Sequence, residues 1–145
     1  MSKVEDFLTA SEENDIVKAI CEAEKKTSGE IRVHLESFTD KPPLARAKEL
    51  FHTLKMDNTK DGTGVLFYVA VTNKSYAIVG DHGIHSKVPK DFWESIKAQM
   101  HVHFSKGKFS LGIIEGIRMA GEKLQAHFPW QKGDENELTN ELSKG

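Results

Sequence analysis

Apolar and polar positions along the chain repeat with two different periods, which predict alternating helices and strands. An apolar stripe of helical spacing predicts a first helix over about Ser11–Lys26, with Thr9 or Ser11 as its N-cap. Strict alternation over Glu30–Glu36 then predicts a strand with one buried and one polar face. The polar face includes His34, which we expect to be solvated.

The middle of the chain predicts a second helix and a hairpin. Pro42 and Pro43 stand at the start of a helical pattern, where proline fits the first turn. The run Val65–Val71 is continuously apolar, which is typical of a central strand covered on both faces. Turn-forming residues 72–75 follow, and Tyr76–Gly80 returns as the antiparallel partner strand.

Two further helices complete the predicted domain over residues 1–128. We expect Pro89 in the first turn of one helix and Ser110 as the cap of the other. Residues 129–145 have almost nothing to bury, which predicts a disordered polar tail. The element order is α-β-α-β-β-α-α. Because a βαβ crossover makes its two strands parallel, we predict a three-layer αβα sandwich on a small mixed sheet.

Composition and charge exclude several classes of protein. A chain of 145 residues with 38% apolar positions can bury a core without disulfides or a structural metal. The net charge of −2 disfavours nucleic acid as a partner. The single Cys21 excludes an internal disulfide framework. No apolar run is long enough to span a membrane, so we expect a soluble, cytoplasmic monomer.

The predicted strand directions bring acidic residues together at one edge of the sheet. The starts of the first two strands and the end of the third lie at this edge. Carboxylate, hydroxyl and carbonyl oxygens are the ligands that hard divalent cations prefer. The sequence therefore predicts a cation site there. Its candidate ligands are Asp57, Thr59, Asp61, Asp81, Asp91 and Glu30.

One of the acidic loops partly matches a known calcium-binding pattern. Asp57, Thr59, Asp61 and Gly62 have the spacing of the first, third, fifth and sixth positions of an EF-hand loop. The twelfth position is Tyr68 inside a strand rather than a bidentate glutamate, which excludes an EF-hand. What remains is an oxygen-rich loop that needs ligands from a second segment.

The same residues also have an ordinary structural interpretation. Asp57, Asp61 and Asp81 can form Asx turns, and Asp91 can stabilise the start of a helix by its charge. Two histidines beside Asp81 could ligate zinc, but we expect them to be solvated. Ligation by oxygen atoms alone favours calcium, with magnesium as the alternative.

Several linked motifs run through the ordered part of the chain: Ser28–Val33, Asp61–Val69, Ile78–Ile84, Val88-Pro89 and Phe109–Ile117. Together they resemble the TPM domain family, which includes thylakoid-lumen proteins of photosystem II repair and bacterial envelope proteins. The resemblance implies an αβα sandwich with acidic loops at one end of the sheet. Some members bind divalent cations near these loops, and lumenal members have been assigned an acid phosphatase activity.

The resemblance extends from about Glu12 to Phe128 and implies roles for three acids. Asp61, Asp81 and Asp91 match the family's acidic positions before and after its two central strands. Typical relatives also carry a signal peptide, and often a membrane segment or a glycine-rich tail. This chain shows neither pattern, so we expect a stand-alone domain.

Three functions follow from these observations. The first is a regulatory or interaction module whose acidic loops are ordered by calcium and which binds an unidentified protein. The second is a metal-assisted phosphatase, in which Asp61 and Asp81 hold an ion and Asp91 or His82 assists proton transfer. The sequence shows neither a nucleophile nor an arginine clamp for phosphate, which disfavours this activity. The third is a structural domain without an ion.

Overall fold

The fold is described by a computed structural model over residues 7–57, 62–130 and 142–144. The helices are α1 (Ala10–Glu24), α2 (Pro43–Thr53), α3 (His82–His85), α4 (Phe92–Phe104) and α5 (Phe109–His127). The strands are β1 (Glu30–Glu36), β2 (Gly64–Ala70), β3 (Ser75–Gly80) and β4 (Ser143–Lys144). These strands form one mixed sheet in the order β3-β2-β1-β4. β1 pairs in parallel with β2, and β2 pairs antiparallel with β3, as the sequence predicts.

Helices cover both faces of the sheet, which confirms the αβα sandwich. On one face α1, α4 and α5 pack in a main core that includes Ile20, Ile96 and Ile117. On the other face α2 buries Leu50 and Phe51 against β2 and β3. β2 is buried along its whole length because it lies between two strands and two helical layers. This burial on both faces explains why the sequence of β2 is continuously apolar.

The helix starts agree with the sequence in two places and differ in two. Thr9 is the N-cap of α1 and forms a capping box with Glu12, and α2 begins at Pro43. Ser110 does not cap α5, since that helix begins at Phe109 and the Ser110 hydroxyl donates to a Glu12 carboxylate oxygen instead. Similarly, α4 begins only at Phe92, three residues after Pro89.

The end of the chain forms a strand that the sequence did not predict. Ser143 and Lys144 pair in parallel with His34 and Leu35, within the segment 129–145 that composition predicted to be disordered. Most of that segment lies outside the described residues, where the prediction stays untested. A two-residue strand has no period to detect, so it leaves no signal in the sequence pattern.

The polar face of β1 is buried rather than solvated, which corrects the expectation for His34. Only 3% of His34 is exposed, and Glu36 is buried beside it. The Glu36 carboxylate accepts hydrogen bonds from the Arg46 guanidinium and from the Tyr68 hydroxyl at 2.6 Å. The Arg46 contact holds the pKa of Glu36 below its usual range. This network joins α2 to the sheet through charged hydrogen bonds.

A glycine at the end of β3 makes room for an aromatic ring. A Cβ atom at Gly80 would overlap the indole of Trp93, one residue into α4. We expect Gly80→Ala to lower the free energy of unfolding by about 1–3 kcal/mol, since the ring must shift. Chemical denaturation measures the change. The same substitution in a Trp93→Leu background should cost much less, and an equal cost in both backgrounds would contradict the role of the ring.

Candidate functional site

The predicted acidic edge exists in the fold. Glu30 lies opposite Gly64 at the start of the parallel pair, and its N–H donates to the Thr63 carbonyl at 3.0 Å. On the other side of β2, the Asp81 N–H donates to the Gly64 carbonyl at 2.9 Å. The first residues of β1 and β2 and the residue after β3 therefore lie side by side. The strand directions alone predicted this arrangement.

The two acidic segments touch each other at this edge. Gly62, at the end of the loop 57–62, has φ +66, a conformation that favours glycine. A Cβ atom at Gly62 would lie 2.9 Å from His82 Cε1 and 3.2 Å from the Gly83 nitrogen. The end of the first loop thus packs directly on the start of α3.

Hydrogen bonds hold the Asp81 carboxylate in place at the acidic edge. It is 7% exposed and is the N-cap of α3. Its Oδ1 accepts from the His82 N–H at 2.7 Å and lies 2.9 Å from His82 Nδ1. Its Oδ2 is buried and has no hydrogen-bond partner among the described residues. An unpartnered buried carboxylate oxygen costs free energy unless a cation or a donor reaches it.

The other candidate ligands have different surroundings. Glu30 is buried at the start of β1. Asp57 is exposed, and its Oδ2 lies 2.9 Å from Nδ1 of His52. Thr59 and Asp61 lie outside the described residues. Within the described part of the chain, no three His, Cys, Asp or Glu side chains form a group that could hold one ion. The full ligand set stays a prediction.

Asp91 lines a surface groove together with basic side chains. It is exposed at the start of α4 and lines a surface groove with Ser95 of that helix. Lys123 and His127 of α5 line the same groove. The sequence pattern does not connect Asp91 with the two basic residues, because they are more than thirty positions apart and only the packing of α4 on α5 brings them together.

Glu24 is a further acidic residue at this end of the sheet that sequence analysis missed. Its Oε2 accepts the Ile31 N–H at 2.9 Å, while Oε1 is buried without a partner in the described ranges. Burial is the main cause that raises the pKa of Glu24 to about 7; the Ile31 N–H opposes this rise, and the nearby Glu30 carboxylate adds to it. Glu24 stands near the end of the α1 pattern, where a glutamate gives no sign of burial.

A family model for the TPM domain matches residues 1–123. The chain belongs to the TPM domain family. The resemblance to this family is therefore confirmed. None of the curated proteins compared with this TPM domain shows detectable similarity. Across the described residues, no helix is both long enough and apolar enough to span a bilayer.

Solved structures share the fold of this TPM domain. The NMR structure of the BA42 protein from the psychrophilic bacterium Bizionia argentinensis is 52% identical, covers 100% of both chains and has a TM-score of 0.93. The N-terminal domain of the cg2496 protein from Corynebacterium glutamicum is 12% identical, with coverages of 95% and 80% and a TM-score of 0.65. An N-terminal domain from P. gingivalis is 20% identical, with coverages of 84% and 79% and a TM-score of 0.68.

The raised pKa of Glu24 predicts a pH-dependent stability. Its pKa rises from 4.5 to about 7 on folding, so the folded state binds more protons between these values. The contribution of Glu24 to the free energy of unfolding is therefore fully present below pH 4.5. It is lost as the pH rises through 7 and the buried carboxyl group ionises. Relative to Glu24→Gln, the wild type should lose up to about 1.4 kcal/mol of unfolding free energy per pH unit in this window.

Urea denaturation at several pH values between 4 and 8 measures this difference. Glu22→Gln is the matched control, because Glu22 lies two residues earlier on the same helix and is exposed. A constant difference between the wild type and Glu24→Gln over the whole range would contradict the titration of Glu24.

Proposed function

We propose that this TPM domain binds a divalent cation, calcium in preference to magnesium, between the loop 57–62 and the segment Gly80–His85. The ion would order the two segments and thereby present a surface to a protein partner. The observation that carries the proposal is the buried Asp81 Oδ2, which lacks a hydrogen-bond partner in the described structure. The partner, the monomeric state and the cytoplasmic location stay predictions.

The geometry around Asp81 fits a cation ligand. Its Oδ1 is fixed by the backbone N–H of His82, which leaves Oδ2 to face another group. Gly62 brings the end of the other loop against the same short helix, within van der Waals reach of His82. An ion held by Asp81 and by oxygens of the 57–62 loop would therefore connect segments that already touch. Calcium takes six to eight oxygen ligands, and water can complete the set.

Asp57 has a different part in this proposal. Its carboxylate is paired with His52 on α2, at the exposed end of that helix. Coordination of the ion by Asp57 would break this contact, whereas Asp81 can bind without losing a described hydrogen bond to its Oδ1. We therefore expect Asp81 to contribute more to the affinity than Asp57.

Calcium should stabilise the wild type and affect only the acidic edge. At a free concentration one hundred times the Kd, the expected gain in unfolding free energy is about 2.7 kcal/mol. Amide shifts should move at Gly62–Gly64 and Gly80–Asp91, while the far end of β1 stays unchanged. Thermal unfolding and amide spectra recorded during a calcium titration measure both effects.

Variants locate the ion within the fold. Asp81→Asn should abolish the stabilisation, and Asp57→Asn should weaken it less. Asp40→Asn is the matched control, because Asp40 is exposed in the connection after β1, at the opposite end of the sheet. If millimolar calcium stabilises Asp81→Asn as much as the wild type, the proposed site is wrong.

Phosphomonoester hydrolysis is the second candidate function. The groove beside Asp91 supports it, because Lys123 and His127 there could contact a phosphate group. Asp91 opposes an anion by its own charge, and no clamping arginine lines the groove within the described residues. We expect turnover of a generic phosphomonoester to stay below about 1 s⁻¹ with calcium or magnesium present. Faster turnover that Asp61→Ala abolishes in a folded protein would assign the domain to the phosphatases.

A further inference from the structure

The groove between the start of α4 and the end of α5 has the dimensions of a site for a small molecule. Its volume is about 280 Å³, close to the lower end of the range of about 300–1,000 Å³ that is typical of ligand pockets. Asp91 and Ser95 line it from the α4 side, and Lys123 and His127 line it from α5. We refer to it as the α4–α5 groove.

A buried aromatic ring positions the two basic side chains of this groove. Only 4% of Phe92 is exposed. The Lys123 ammonium lies over the Phe92 ring, 6.0 Å from its centroid. The His127 ring meets the same ring at an angle of 71°, with 6.5 Å between the centroids. A cation held over an aromatic face is partly fixed before any ligand arrives. The basic side of the α4–α5 groove is therefore arranged in advance.

The acidic side of the groove presents acceptor atoms. Asp91 occupies the N-cap position of α4, but its side chain makes no capping hydrogen bond. The Ser95 hydroxyl donates to the Phe92 carbonyl at 3.0 Å, which leaves its oxygen free to accept a hydrogen bond. Among the described ion pairs, none joins Asp91 to Lys123 or to His127. Opposite charges thus line one groove without neutralising each other.

This charge arrangement selects the class of ligand. Asp91 repels an anion that approaches Lys123, and Lys123 repels a cation that approaches Asp91. A molecule that carries both charges meets an opposite charge on each side. Pro89 and Ala126 line the same groove and offer apolar contact to the rest of such a molecule. The combination of small volume, two charges and an apolar wall matches a free amino acid.

We propose that the α4–α5 groove binds a small zwitterion, a free amino acid with an apolar side chain. Its ammonium group donates to the Asp91 carboxylate and the Ser95 hydroxyl. Its carboxylate accepts from the Lys123 ammonium, with His127 beside it. Hydrogen bonds between charged groups give such a site its strength. This inference does not rest on the proposed cation site, which uses Asp81 and the loop 57–62.

The test uses the full chain, without added divalent cations, and L-phenylalanine as the probe. Its titration should produce saturable amide shifts at Asp91–Ser95 and Lys123–His127. Two analogues each lack one charge: L-phenylalanine amide has no carboxylate, and hydrocinnamate has no ammonium group. Each should bind at least about tenfold more weakly than L-phenylalanine, because one side of the groove then has no partner.

Variants separate recognition of charge from a general loss of groove shape. Asp91→Asn should weaken the binding of L-phenylalanine about tenfold but should not weaken hydrocinnamate, because the repulsion of its carboxylate is removed. Lys123→Gln should weaken both ligands. Glu122→Gln is the matched control, since Glu122 is the exposed neighbour of Lys123 on α5 and does not line the groove. It should leave both affinities unchanged.

The proposal depends on the difference between these ligands. Saturable shifts with L-phenylalanine, together with opposite responses of the two ligands to Asp91→Asn, support a zwitterion site. Absence of shifts at millimolar L-phenylalanine overturns it. Binding of hydrocinnamate as tightly as L-phenylalanine, or equal weakening of both ligands by Asp91→Asn, overturns it as well. None of these outcomes affects the calcium titration, so the two proposals fail separately.

Discussion

Strand β2 is hydrogen-bonded to β1 on one side and to β3 on the other, and these two ladders determine the positions of the other elements. The parallel ladder places Glu30 beside Gly64, and the antiparallel ladder places Gly80 opposite Val65. The acidic edge is a direct consequence of these directions. A sheet with its second and third strands parallel would have put Asp81 at the far end from Glu30.

Buried polar groups divide into two kinds in this fold. Glu36 is fully used, since Arg46 and Tyr68 donate to its carboxylate, and this network fixes α2 against the sheet. Asp81 and His34 each keep a buried polar atom without a partner among the described residues. Groups of the first kind stabilise the fold, whereas those of the second kind cost stability and point to ligands. The proposed cation site rests on this difference.

Much of the fold and part of the site could be predicted from the pattern of residues. The alternation in β1, the apolar run of β2 and the hairpin to β3 led to the observed sheet, and the sheet led to the acidic edge. The expectation that His34 is solvated was wrong, because the Tyr68 ring stacks on His34 and Ser143 of β4 lies beside it. Glu24 was missed because its burial arises from the turn that joins α1 to β1.

The sequence by itself determined the helices and strands other than α3 and β4, the layer order of the sandwich and the family to which the chain belongs. Those properties follow from local periodicity and short motifs, which neighbouring residues encode. Only the tertiary structure decided that an Asp81 oxygen lacks a partner among the described residues, that burial raises the pKa of Glu24 and that Ser143 lies beside His34. These properties depend on burial and on contacts between distant residues, for which a single sequence carries no periodic signal.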